Sequence, residues 1–245
     1  AAARRSPRPP PMPTTRALGC AGSEGNGPGR LRNGSFAPRW KHLPMRLPTL
    51  FLACFALLFS PMQADPKKTD TVVLAGGCFW CVEAAYRLLP GVIAVTSGYT
   101  GGQKAHPTYQ EVCSGTTGHA EATRIEYDPA VLPLEKLLAF FWKVHDPTTL
   151  NRQGADEGTQ YRSAIFYRSV EQKLAAEKSR TAAQAGFASP IVTEIVPLAE
   201  FWPAEDYHQN YLPNNPDNRY CQLVVRPKIE KLKKVLAEEA KTPGK

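Results

Sequence analysis

Six consecutive residues, Gly76-Gly77-Cys78-Phe79-Trp80-Cys81, combine a flexible turn with two thiols three positions apart. Paired glycines let a chain turn sharply out of a strand, which leaves Cys78 at or near the first turn of a helix. There the free backbone N–H groups and the positive end of the dipole favour a thiolate. Cys81 lies one helical turn further on, close enough for a disulfide with Cys78. A pair of this kind suits nucleophilic or redox chemistry, but it also suits two buried core cysteines. Zinc would need a second close Cys/His pair. His106, His119, His145 and His208 are scattered singly, so no metal site is expected. A CxxC after a strand also fits a thioredoxin-like protein, although no βαβ unit with a cis-proline loop is evident around it.

The elements that must position this turn can be read from hydrophobic spacing. Thr71–Ala75 reads as a short buried strand ahead of the glycines. A helix over Cys78–Leu89 would carry Phe79, Val82, Tyr86 and Leu89 on one apolar face and stop at Pro90-Gly91. Val92–Tyr99 reads as a strand, and Ala120–Tyr127 alternates as a half-buried strand does. Leu134–Val144 is an aromatic-rich helix behind Pro133. Ser163–Tyr167 and Ile191–Val196 are strand candidates flanking a helix near Val170–Ala185. Cys221–Val225 reads as a last strand and Lys228–Glu239 as a closing charged helix. Strands and helices intermix without the regular alternation of a doubly wound sheet. The fold class expected is α+β, over about residues 66–240.

Charge excludes one class of function. The chain carries 30 Lys/Arg and 22 Asp/Glu, but nine of the basic residues and one acid fall within residues 1–46. The remainder holds 21 of each, so the pI near 9.2 says nothing of nucleic-acid binding by the folded part. Residues 1–44 are rich in Pro, Gly and Arg, show no apolar period, and read as a disordered, spurious upstream stretch. Met45 opens a different pattern: Arg46, an apolar run from Leu50 to Phe59, and Ala64 before Asp65. Residues 45–64 therefore read as a secretory signal, too short in its apolar part to span a bilayer comfortably. The expectation is a periplasmic or secreted protein. The alternatives are a cytoplasmic protein or one anchored in a membrane.

Two further segments supply polar groups that a simple disulfide exchanger would not need: His106–Glu121 and Asn151–Ser163. Taken with GCFWC, GYTGG (98–102), HPTYQEVCSGTTGHAE (106–121), HDPT (145–148), RQGADEGTQYRSAIFY (152–167) and AEDYHQNYL (204–212), the chain resembles the A-type peptide methionine sulfoxide reductases. The motifs agree in order from about Val73 to the C-terminal region. The resemblance implies a two-layer α+β sandwich of ferredoxin-like type with a mixed, largely antiparallel sheet. It implies reduction of methionine S-sulfoxide, free or in proteins, to methionine, a repair of oxidised protein.

A sulfoxide sulfur is a soft electrophile with a poor oxygen leaving group, so the chemistry needs a thiolate and an acid. The resemblance makes Cys78 the nucleophile. It places Glu121 where the family's catalytic glutamate lies, a role that requires burial among apolar groups. It aligns Tyr109 and Tyr161 with tyrosines that hydrogen-bond the sulfoxide oxygen, and Asp156 with a site aspartate. Phe79 and Trp80 match the aromatic pair enclosing the substrate's terminal methyl. His119 and His208 are expected in structural hydrogen bonds.

Attack and release of methionine would leave Cys78 as a sulfenic acid, which a second thiol converts to a disulfide. Cys81 is favoured for that role because it is a turn away and matches members with GCFWC. Cys221 is the alternative, although a cysteine fixed in a strand travels poorly. Cys113 is expected to be buried and inert. An outside dithiol, thioredoxin or a thioredoxin-like protein, would restore the thiols. No metal or organic cofactor is implied, and a monomer is expected. Two competing classes are a general thiol–disulfide oxidoreductase and a non-catalytic protein with structural cysteines.

Overall fold

The computed structural model describes residues 69–241. The expectations for residues 1–44 and for a signal over residues 45–64 lie outside the described residues.

A six-stranded sheet forms the frame. Its central strands are β1 (Asp70–Gly76), β2 (Val92–Thr100), β3 (Ala120–Tyr127) and β6 (Ser163–Tyr167). Two shorter strands flank them, β7 (Glu194–Pro197) and β8 (Trp202–Pro203), in the order β7-β6-β1-β3-β2-β8. Every pairing is antiparallel except β6 with β7. Three helices join these strands: α1 (Phe79–Tyr86), α3 (Leu134–Val144) and α4 (Val170–Ala183). The run β1-α1-β2-β3-α3-β6, with β6-β1-β3-β2 side by side, is the split βαβ pattern of a ferredoxin-like α+β sandwich. Between β2 and β3 sits the short helix α2 (Tyr109–Cys113). A hairpin of two-residue strands, β4 (Arg152–Gln153) and β5 (Asp156–Glu157), precedes β6, and α5 (Tyr211–Asn214) follows β8. The last helix is α6 (Arg226–Lys241).

Strand side chains alternate faces, and here both faces are covered. Val72 and Leu74 of β1 and Ile125 and Tyr127 of β3 pack under the helices with Phe79, Tyr86, Leu137, Leu138 and Phe141. Val73, Ala75, Ala120, Ala122, Ala164 and Phe166 form a thinner cluster on the other side, covered by Leu198 and Phe201. The half-buried pattern expected of Ala120–Tyr127 is therefore replaced, in its first half, by burial on both sides. Small alanines allow it, because the covering segment can lie close against them.

Four boundaries differ from the expectations. α1 stops at Tyr86 and the chain continues to Leu89 in turns, with seven of the helix's eight residues buried rather than one face. The strand expected over Ile191–Val196 is shifted to Glu194–Pro197, where pairing with β6 is available. β8 and the 152–157 hairpin have no periodic signal at two residues per strand. Cys221–Val225 is not a strand but a π-helical turn running into α6. The mostly apolar stretch CQLVV is too short for its spacing to separate strand from helix, and packing against α1 decides for the helix.

Candidate active site

The turn that presents Cys78 is built as the glycines suggest. Gly77 has φ +85°, and a Cβ there would sit 2.6 Å from the Gln153 side chain. Only glycine meets both demands. Cys78 is the N-cap of α1, and its carbonyl accepts the N–H of Cys81 at 3.0 Å. Cys78, Cys81 and Cys221 are buried free thiols.

Glu121, the second residue of β3, shares the helix-side face with Ile125 and is 2% exposed. Its Oε2 accepts the backbone N–H of Phe79 at 3.1 Å, across 42 residues of sequence. One of the first-turn N–H groups of α1 is thus already taken by a carboxyl. No Lys, Arg or His lies within 4 Å of that carboxyl among the described residues. Burial raises its pKa to about 8, partly opposed by the Phe79 N–H, with further upward pushes from Asp156 and Cys81. Glu121 is a carboxylic acid at neutral pH.

The expectation that the helix start would favour a Cys78 thiolate is overturned for the resting pair. Burial is the largest influence and pushes the Cys78 thiol up, and Cys81, Glu121 and Asp156 push the same way. The Cys78 and Cys81 side chains share a hydrogen bond. That bond is the main reason the Cys81 pKa is lowered, with help from Lys228 and Tyr220. The dipole of an eight-residue helix contributes too little against desolvation on this scale.

The tyrosines converge on the same place. Tyr109 opens α2, which Thr108 and Glu111 close with a reciprocal capping box, and the Tyr109 N–H donates to Glu205 Oε1 at 2.9 Å. Its ring stacks on Phe79, with centroids 6.4 Å apart. Tyr161 ends the 3₁₀ turn Thr159–Tyr161 and is 7% exposed. Burial pushes both phenols up, and Glu121 is the largest charged influence on each. Both therefore stay as O–H donors. Asp156, on β5, accepts the Tyr220 hydroxyl at 2.6 Å and has its pKa raised by burial.

Phe79 and Trp80 are walled in. Trp80 stacks on Tyr211 at 3.5 Å and 5°, and its indole N–H donates to His208 Nδ1 at 3.2 Å. The His208 ring also sits 5.1 Å from Phe79 and 4.4 Å from Tyr109. Burial lowers its pKa to about 4, so it is neutral with the proton on Nε2. His119 is structural, accepting the Gly102 N–H at Nδ1 and donating from Nε2 to the Lys104 carbonyl.

The structure thus brings Cys78, Cys81, Phe79, Trp80, Tyr109, Glu121, Asp156 and Tyr161 together. Cys221 is buried in its π-helical turn, within electrostatic reach of Cys81. Cys113 is the exception to what its motif suggested. It is exposed at the end of α2, its pKa raised to about 11 mainly by desolvation of its sulfur. Sequence reasoning missed Tyr211, Tyr220 and Glu205, which hold Trp80, Asp156 and Tyr109. Two of them lie in the AEDYHQNYL stretch, where aromatic and acidic residues crowd together. Tyr220 gave no signal beyond standing next to Cys221. Among the described residues no group of three or more His, Cys, Asp or Glu is placed to hold a metal ion.

A buried thiol beside a buried neutral carboxyl, ringed by phenols and aromatic walls, defines a thiol-dependent redox site. The family model described as peptide methionine sulfoxide reductase matches residues 70–241. The chain is 52% identical over 165 residues to the peptide methionine sulfoxide reductase MsrA of Thermus thermophilus, covering 67% of this chain and 94% of that protein. It is 54% identical over 162 residues to the MsrA of Leptospira borgpetersenii, covering 66% and 92%. Among solved structures, reduced Mxr1 from Saccharomyces cerevisiae superposes with a TM-score of 0.61 at 37% identity, covering 66% of this chain and 94% of that one. Methionine sulfoxide reductase A of Corynebacterium diphtheriae gives 0.57 at 37% identity, covering 62% and 77%. The chain belongs to the peptide methionine sulfoxide reductase family and is an enzyme of that class, a peptide-methionine (S)-S-oxide reductase.

Proposed function

We propose that the chain reduces methionine S-sulfoxide, free or in proteins, with Cys78 as nucleophile and Glu121 as acid. The observation that carries this is the neutral Glu121 carboxyl fixed to the N–H of Phe79, next to the thiol. Tyr109 and Tyr161 donate to the sulfoxide oxygen, and Phe79 and Trp80 wall the methyl. As Glu121 passes its proton to that oxygen, the resulting carboxylate takes the Cys78 proton, and the sulfur attacks. This order explains why a thiol held up in pKa can still act, because it ionises only when substrate is engaged. The net result moves one oxygen from substrate to Cys78, giving methionine and a sulfenic acid. The Cys81 thiol then displaces water to form the Cys78–Cys81 disulfide. An outside dithiol, thioredoxin or a thioredoxin-like protein, takes up that oxidation and becomes a disulfide itself.

Turnover of methionine S-sulfoxide with dithiothreitol tests the reading. Cys78→Ser should abolish it, and Glu121→Gln should lower kcat/KM by roughly 10²–10⁴-fold. Full activity in either variant overturns the assignment. Cys81→Ser should keep dithiothreitol-driven turnover and lose thioredoxin-driven turnover. Should the latter persist, resolution passes to Cys221.

A further inference from the structure

The proposed cycle needs a protein dithiol to reach the Cys78–Cys81 pair, and the structure offers a surface for it. A groove of about 920 Å³ runs between the end of α3, residues 187–189 and the first half of α6. One wall includes His145 and Gln153. These are the side chains that press on Gly76 and Gly77, immediately before Cys78. The groove therefore adjoins the turn that carries the nucleophile. Its Lys228 is close enough to Cys81 and Asp156 to lower the pKa of each. The aromatic residues assigned to the substrate methyl are not among its walls.

The lining fits a particular kind of visitor. Phe187, Leu232 and Val235 supply an apolar surface, and Lys228 and Lys231 stand along it. Neither lysine has a carboxylate within 4 Å among the described residues, and Asp146 is the one acid in the lining. Residues 69–241 carry 18 Lys/Arg against 20 Asp/Glu, so this positive strip is local and not a property of the whole domain. The volume is far beyond what a methionine side chain needs and is the size of a protein loop. An apolar bed edged by unpaired cations is complementary to an apolar loop flanked by acids.

We propose that this groove docks the protein dithiol reductant, seating an apolar, acid-flanked loop that carries its thiols. The proposal rests on the sulfoxide-reductase reading. Once docked, the reductant's thiolate attacks one sulfur of the Cys78–Cys81 disulfide and forms a mixed disulfide, while the other sulfur leaves as a thiolate and is protonated. The reductant's second thiol then displaces the mixed disulfide. The enzyme regains both thiols and the reductant departs oxidised.

The double variant Lys231→Glu/Ser189→Glu reverses the charge at one exposed position of the groove and adds a negative charge at another. With purified thioredoxin and methionine S-sulfoxide, its KM for thioredoxin should rise at least tenfold. Added salt should raise the wild-type KM and barely move the variant's. Dithiothreitol-driven turnover should stay within twofold of wild type, which shows that fold and site are intact. An unchanged KM for thioredoxin overturns the proposal. So does an unchanged KM for thioredoxin with a raised KM for an oxidised protein under dithiothreitol, which would make the groove a substrate surface. Absence of dithiothreitol-driven turnover in the wild type would instead overturn the reading of the site. In that case docking is still judged by the rate at which thioredoxin reduces the preformed Cys78–Cys81 disulfide in the two proteins.

Discussion

The two ends of α1 each bury a glutamate to the same degree, and they use it in opposite ways. Glu83 and Glu121 are both 2% exposed. Glu83, in the second turn, is ringed by donors: the Arg87 guanidinium at 3.0 Å and the backbone N–H groups of Asn210 and Tyr211 at 2.8 and 3.4 Å. Glu121, at the helix start, has one backbone N–H and no cation. A buried carboxylate with a full shell of donors is a clamp, here tying the segment before α5 to α1 and so backing the Trp80–Tyr211 stack. A buried carboxyl with a single donor holds its proton and can hand it over. Burial alone therefore does not mark the reactive residue; the count of donors does.

The largest effect expected from this contrast is on the clamp. Glu83→Ala leaves the backbone N–H groups of Asn210 and Tyr211 unsatisfied and takes the carboxylate from the Arg87 guanidinium, which keeps its bond to the Val95 carbonyl. Chemical denaturation at pH 7 should show a loss of about 3–5 kcal/mol. The folded variant should retain dithiothreitol-driven turnover within tenfold, because Glu83 makes no hydrogen bond to Cys78, Glu121, Tyr109 or Tyr161 and reaches the site only through the Trp80–Tyr211 stack. A stability loss under about 1 kcal/mol would mean that the donor shell does not distinguish the two carboxyls.

The reactive end should respond in the other direction. Glu121 has a folded pKa of about 8 against an ordinary value of 4.5. A raised carboxyl pKa means that the folded state holds its proton more tightly than the unfolded chain. Its favourable contribution is fully present below pH 4.5 and drains away as pH climbs towards 8. Glu121→Gln keeps an acceptor for the Phe79 N–H and carries no charge to bury. Relative to wild type it should gain about 2–4 kcal/mol in stability between pH 5 and pH 9, read from denaturation midpoints at both values. The wild-type rate should also fall on an alkaline limb near pH 8 as the acid form is lost. Identical stability-against-pH curves for the two proteins would show that Glu121 is not held neutral.

How much of this contrast the amino-acid sequence discloses depends on the length of the element concerned. β1, β2, β3, α3 and α4 are long enough for their apolar spacing to show, and Gly76-Gly77 announces the turn before Cys78. Glu121 lies on the core side of β3, but nothing in AEATRIEY says so: Ala120 and Ala122 fall on one face, Ile125 and Tyr127 on the other, and both are buried. Only the resemblance singled it out. Of the donors to Glu83 only Arg87, four residues on, is legible in sequence; the other two are backbone N–H groups 127 and 128 residues away. The π-helical turn at Cys221 differs from the strand expected there because four apolar residues and one glutamine suit either period. Asp156 illustrates the same limit, its hairpin having no periodicity and its partner Tyr220 lying 64 residues later.

That last pair gives the smallest expected effect and the finest test of the donor count. Asp156 is a third carboxyl, half-buried, with one strong donor, the Tyr220 hydroxyl at 2.6 Å. It stands between the two glutamates: more exposed than either, and near enough to Cys78, Cys81 and Glu121 to raise the pKa of each. Tyr220→Phe removes that donor with almost no change in shape, costing about 1–2 kcal/mol of hydrogen bonding. With it goes the strongest force holding Asp156 ionised, so its pKa rises further. Because Asp156 acts on Glu121 through its charge, the alkaline limb assigned to Glu121 should shift by less than one pH unit. Turnover should change by less than tenfold. A limb that stays fixed while stability drops would make Tyr220 part of the packing around Trp80 only, and would remove Asp156 from the electrostatics of the acid.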